Sequence, residues 1–180
     1  RTFSALMVFV LLMVLFYPSS LRDGSSEFVV FDAGQGLAIA MVWEDQYWLY
    51  DTGPQFGSYA VSEGAIYPYL REREVLPNIS GLIISHGDAD HAGDVVSLNR
   101  YLHPKIVLSG EPKRLALPKP LETCRAGMSF AFKGGFIDVL YPFAKGLSEK
   151  VSSNNHSCVI RFSFKGHTFL LVGDLEGAAE

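Results

Sequence analysis

"LIISHGDADH", Leu82 to His91, is the stretch that decides the fold. An apolar run stops abruptly, and within the six residues His86 to His91 stand two histidines and two aspartates. A short, wholly apolar run predicts a strand buried on both faces of a sheet. The segment that follows, "AGDVVSLNRYL", puts Val95, Leu98 and Leu102 on one helical stripe. The polar cluster therefore occupies a loop between the end of a strand and the start of a helix. Such a loop can aim His86 and Asp88 to one side and Asp90 and His91 to another, holding two metal ions with one short peptide. Imidazole nitrogen and carboxylate oxygen suit Zn²⁺, Mn²⁺ or Fe²⁺. A helix cap would explain one aspartate through hydrogen bonds to backbone N–H groups. It would not explain two aspartates and two histidines together.

Upstream, "EFVVFD" is a short apolar run closed by Asp32, and "AGQG" follows with glycines suited to a tight turn. "LAIAMVW" and "QYWLYD" are separated by Glu44-Asp45 and predict a hairpin whose second strand ends at Asp51. Residues Phe56 to Gly64 predict a loop, and "AIYPYLRERE" a helix broken near Pro68. Downstream, "KIVLS", "FIDVLYP", "CVIRFSF" and "TFLLVGD" predict four more strands. Meandering strands, then strand–helix–strand, then strands again, point to a layered α/β sandwich. Strands ending at Asp32, Asp51, Asp174 and the histidine cluster would gather polar groups at one sheet end, the usual place for a site.

The 180 residues suffice for one domain with a sizeable core. A net charge of −4 argues against a general nucleic-acid coat protein; the most basic stretch, "EPKRLALPKP", reads as a solvated loop. The two cysteines, Cys124 and Cys158, are too few for a disulfide framework, and Cys158 shares a strand face with Ile160, Phe162 and Phe164, as a buried thiol would. Residues 1–17 carry no charge after Arg1, yet are short of the ~20 a spanning helix needs. The end of a transmembrane helix is favoured over a signal peptide, whose cleavage site "FYPSSL" would match poorly, and over a core helix, which would have a polar face. Residues 18–26 then form a linker, and 27–180 the domain.

"SHGDADHAGD" resembles the HxHxDH signature of the metallo-β-lactamase superfamily, with Asp88 where most members have a second histidine. Together with "DAGQGLAI", "YDTG", "NNHSCVIRF" and "LLVGDLE", it resembles the C-terminal domain of the ComEC/Rec2 family, the membrane channel proteins of bacterial DNA uptake. The resemblance spans Glu27 to about Gly177. It implies an αβ/βα sandwich, incomplete at its C-terminal end here. It implies His86 and Asp88 as ligands of a first metal, Asp90 and His91 of a second, and Asp174 as the carboxylate bridging both. Asp51 would orient ligands and loop backbone from behind. His156 could supply the third ligand of the first metal, while Asn154 and Asn155 are candidates for substrate contact.

Two metals ~3.5–4 Å apart can clamp the oxygens of a phosphodiester and activate a water, positioned here by Asp90. The sequence holds no Ser-His-Asp spacing, no GxSxG and no P-loop as a rival. Three carboxylates, Asp88, Asp90 and Asp174, tilt the expected pair of ions from Zn²⁺ toward Mn²⁺ or Mg²⁺. The resemblance implies a nuclease acting on incoming single- or double-stranded DNA, tied to the bacterial inner membrane, its soluble domain on the outer side, with other competence proteins as partners. The competing expectations are a non-catalytic DNA-guiding or structural domain of the same channel, and hydrolysis of a thioester or lactam.

Overall fold

The computed structural model describes residues 26–118, 120–143 and 151–177. The apolar segment 1–17 and the linker to residue 25 lie outside the described residues. Among those described, no helix is long and apolar enough to cross a membrane.

The strand predicted from "GLII" is β6 (Gly81–Ile84), and all four of its residues are buried. It lies inside a six-stranded sheet of order β1-β2-β3-β6-β7-β8. The first three strands, β1 (Ser26–Val30), β2 (Ile39–Trp43) and β3 (Gln46–Tyr50), pair antiparallel through short connections. β3 then pairs parallel with β6, β6 with β7 (Ile106–Ser109), and β7 with β8 (Glu122–Thr123). Parallel neighbours need crossovers, and helices supply them on one face. These are α1 (Tyr67–Glu72) between β3 and β6, and α2 (Ala89–Ala92) and α3 (Val95–Leu102) between β6 and β7. The predicted stripe Val95, Leu98 and Leu102 is buried against Leu49, Leu82 and Ile84, each leucine contributing about 1.5–3 kcal/mol.

The opposite face of this sheet carries Ile39, Met41, Trp43, Trp48, Tyr50 and Ile83. They pack on a second, antiparallel sheet of order β12-β11-β10-β9. Its strands are β9 (Ser129–Phe132), β10 (Gly135–Tyr141), β11 (Val159–Phe164) and β12 (His167–Leu171). Cys158, Ile160, Phe162 and Phe164 share the inward face of β11, as the alternation predicts. The result is three layers, helices on sheet on sheet.

Three expectations are corrected. Cys158 is no free thiol: it is bonded to Cys124 across the two sheets, with a Cα–Cα distance of 5.7 Å. A 34-residue separation in sequence gives no hint of this; the ends of β8 and β11 meet only after both sheets form. Pro68 does not break a helix but opens α1, where its missing N–H is harmless. A π-type turn (Ser62–Ile66) precedes it, and a two-strand ribbon, β4 (Gln55–Phe56) and β5 (Tyr59–Ala60), occupies the expected loop.

Candidate metal centre

Asp51 follows the end of β3 and His86 the end of β6, His91 lies in α2, and Asp174 stands just beyond β12. The Asp51 side chain is wholly buried and φ is +59° there, a conformation that aspartate tolerates better than most residues. Its carboxylate accepts three hydrogen bonds: the Ser85 N–H at 2.6 Å, the Ser85 hydroxyl at 2.7 Å and His91 Nδ1–H at 2.8 Å. Because the Ser85 hydroxyl hydrogen is spent on Asp51, Ser85 Oγ must accept from His86 Nδ1, 3.0 Å away. One carboxylate thus sets both tautomers. In the neutral form each imidazole turns a bare Nε2 toward the same space, the arrangement that ligating histidines require.

His91 Nε2 lies 3.2 Å from Asp174 Oδ1. The ligand-type atoms of His86, His91 and Asp174 all fall within 4.8 Å of one another. Asp88 Oδ2 is 3.5 Å from His86 Nε2 and Asp90 Oδ2 is 3.8 Å from His91 Nε2, so both carboxylates border the cluster. His86 Nε2 is buried with no hydrogen-bond partner among the described residues. A buried nitrogen left so is costly, and coordination would satisfy it. The donor set fits a divalent ion on that ground.

The DAGQG turn holds this loop from the other side. Leu37 N–H donates to the Asp90 carbonyl and Thr52 N–H to that of His91. At Gly36, φ is +135° and a Cβ would fall 2.2 Å from the Asp90 carbonyl oxygen, so only glycine fits.

Charge follows this geometry. Burial works to lower the His91 imidazole, but the Asp51 carboxylate, with Asp174 and Asp90, outweighs it and raises it to about 9. Burial and the neighbouring His91 hold His86 below the ordinary imidazole range. Asp51 itself is pushed up by burial, against its bonds to His91 and Ser85. The metal-free His91 ring is therefore protonated at neutral pH, and a cation entering at Nε2 must displace that proton. Divalent-ion affinity is expected to climb by up to about tenfold per pH unit below pH 9 and to level off above it. Calorimetric titration with Mn²⁺ at several pH values checks this; a flat profile would contradict it.

Three further named residues lie on one 3₁₀ turn. His156, at the end of a 3₁₀ turn (Asn154–His156), is not brought into the cluster. Asn154 and Asn155, the candidates for substrate contact, both donate to Glu176. Sequence reasoning also missed Arg114. Its Nη1 bonds Asp88 Oδ1 at 2.8 Å, Glu111 at 2.9 Å and Ser153. Burial would raise Asp88, but the Arg114 hydrogen bond and charge hold it below the usual carboxylate range. The only signal was the basic stretch "EPKRLALPKP", which is common in solvated loops.

The metallo-beta-lactamase superfamily model matches residues 21–180. The chain belongs to the metallo-beta-lactamase superfamily. Among solved superfamily structures, a Cronobacter sakazakii metallo-beta-lactamase with a HARLDQ motif superposes with a TM-score of 0.59 at 13% identity, over 81% of this chain and 58% of that one. The metallo-beta-lactamase fold protein YhfI from Bacillus subtilis gives 0.52 at 13% identity, over 83% and 62%. At such identities the likeness shows the shared superfamily fold alone. In sequence, the chain is 33% identical over 150 residues to Recombination protein 2 of Haemophilus influenzae, covering 83% of this chain and 18% of that protein. It is 26% identical to Competence protein ComA of Neisseria gonorrhoeae, covering 93% and 22%. The chain spans about a fifth of the length of these relatives. The superfamily fold and the His/Asp cluster together suggest that the domain binds divalent metal.

Proposed function

We propose that this domain is a metal-dependent phosphodiesterase that acts on DNA during uptake, as part of a longer membrane protein. The single observation that carries the reading is the convergence of His86, His91 and Asp174 into one cluster bordered by Asp88 and Asp90. The similarity to a competence protein and to a recombination protein favours DNA over other superfamily substrates. A divalent pair held by these side chains would supply Lewis acidity toward phosphoryl oxygens and lower the pKa of a coordinated water.

The chain's own contribution is placement and charge. His86 and His91 offer Nε2, and Asp174 and Asp90, each nearly half exposed, offer oxygens on the solvent side. Asp90 is the residue we assign to positioning the attacking water. Asp51 holds His91 in its ligating tautomer, and Arg114 offsets the charge that Asp88 brings in place of an imidazole. The disulfide between Cys124 and Cys158 favours an oxidising compartment, which for a protein of the inner membrane is the outer side, where incoming DNA arrives.

The test is cleavage of labelled single- and double-stranded DNA by the full-length protein with Mn²⁺, Mg²⁺ or Zn²⁺. Metal-dependent cleavage is expected to fall at least about 100-fold in both Asp90→Ala and His91→Ala, on the scale of losing a group that stabilises the transition state. Manganese or magnesium should be at least as effective as zinc. DNA binding with no cleavage under any metal would leave the DNA-guiding role instead, and zinc-only activity would contradict the oxygen-rich assignment.

A further inference from the structure

The segment Ser152–Cys158, "SSNNHSC", touches the cluster from three directions without placing a ligand in it. Ser153 bonds Arg114, which in turn holds Asp88. Ser157 Oγ lies 3.4 Å from His86 Nδ1 and accepts the Asp174 N–H at 3.2 Å. Asn155 forms a two-way bond with Glu176: its Oδ1 accepts the Glu176 N–H at 3.0 Å, and its Nδ2 donates to Glu176 Oε2 at 2.9 Å. Ser152 and Asn154 donate to the same carboxylate, at 3.0 and 3.2 Å.

The segment is itself anchored. The Asn155 carbonyl accepts Tyr141 Oη–H at 2.9 Å, and the Cys158 carbonyl accepts Tyr50 Oη–H at 2.8 Å. Cys158 N–H donates to the Ser85 carbonyl at 2.8 Å. At Gly110 a Cβ would fall 1.9 Å from the His156 carbonyl oxygen, so the end of β7 lets the segment close down on the site.

We infer that Asn155 is a positioning residue that acts through Glu176 to hold Asp174 against His91. Asp174 lies beyond the last residue of β12, outside the sheet's ladder of hydrogen bonds. Its own N–H is fixed by Ser157, and two residues on, Glu176 is gripped by Asn155. With both ends of this short turn tied to one segment, the Asp174 carboxylate stays 3.2 Å from His91 Nε2. Asparagine suits the task because it is donor and acceptor at once, and at 8% exposure Asn155 is closed off from the solvent that would compete for those bonds.

The inference rests on the metal reading above. Its test is Mn²⁺ binding by calorimetry on the full-length protein, with thermal unfolding in chelator measured beside it. Asn155→Asp sets two carboxylates against each other, and Glu176→Ala removes an exposed side chain without burying a charge. Each is expected to weaken Mn²⁺ binding roughly 10- to 100-fold, the usual effect of losing a residue that orients a ligand. Metal-free unfolding measured beside it reports the stability that Glu176→Ala loses with its three side-chain hydrogen bonds, so that the affinity loss is read on protein that is still folded. The double variant Asn155→Asp/Glu176→Gln restores a donor opposite the new carboxylate, and should recover most of the lost affinity. Wild-type affinity in Glu176→Ala, or no recovery in the double variant, would overturn the inference. A wild-type protein that binds no divalent ion would instead defeat the metal reading, and this inference with it.

Discussion

Replacing Asp51 with alanine is expected to destabilise the domain by about 3–5 kcal/mol, the range for removing one partner of a buried charged pair. The carboxylate is wholly buried and accepts all three of its hydrogen bonds from groups that are buried too. Alanine leaves the Ser85 N–H, the Ser85 hydroxyl and His91 Nδ1–H without an acceptor. It also puts a residue that dislikes positive φ at +59°. Asp51→Asn should behave differently. The asparagine oxygen must face the Ser85 N–H, which leaves the amide –NH₂ pointing at His91. His91 Nδ1 then becomes an acceptor, and the neutral ring keeps its one proton on Nε2, the atom that faces the cluster. A modest loss of stability with a loss of divalent-ion affinity of 10-fold or more is the expected pattern for Asn. Urea unfolding of metal-free protein and Mn²⁺ titration separate the two effects. Equal behaviour of the two variants in both measurements would refute the tautomer argument.

The second large effect concerns Cys124 and Cys158. Their bond closes a 34-residue separation, for which chain entropy alone gives about 4 kcal/mol. The Cys124→Ser/Cys158→Ser variant is expected to melt roughly 8–15 °C lower at a domain of this size. Protein taken from cells under acid quench and alkylated after denaturation should show no free thiol. Two free thiols in that assay would defeat the assignment to the oxidising side of the membrane. An unchanged melting temperature on reduction would show that the bond adds nothing to folding.

The elements with strong periodicity were legible in the sequence. The apolar strand before His86, the stripe Val95–Leu98–Leu102 and the alternating face of β11 each have a pattern that burial enforces, and each stands where that pattern put it. His86 and His91, two of the four ligand-type side chains in that six-residue stretch, come together with Asp174 from the far end of the chain. What could not be read was pairing between distant segments. Nothing local to Arg114 says that it meets Asp88, and nothing in the spacing of the cysteines says that they meet. The contacts of Asn155 depend on how a loop and a strand end close over one another, which no periodicity encodes. The ribbon after Asp51 and the π-type turn before α1 were missed because Gly- and Ser-rich composition resembles an ordinary loop.

A covalent stitch between the two sheets, one residue from the Ser157 hydroxyl that faces His86, has a mechanical consequence. The layers cannot hinge open like the covers of a book, since the spine is bolted where the gap would have to widen.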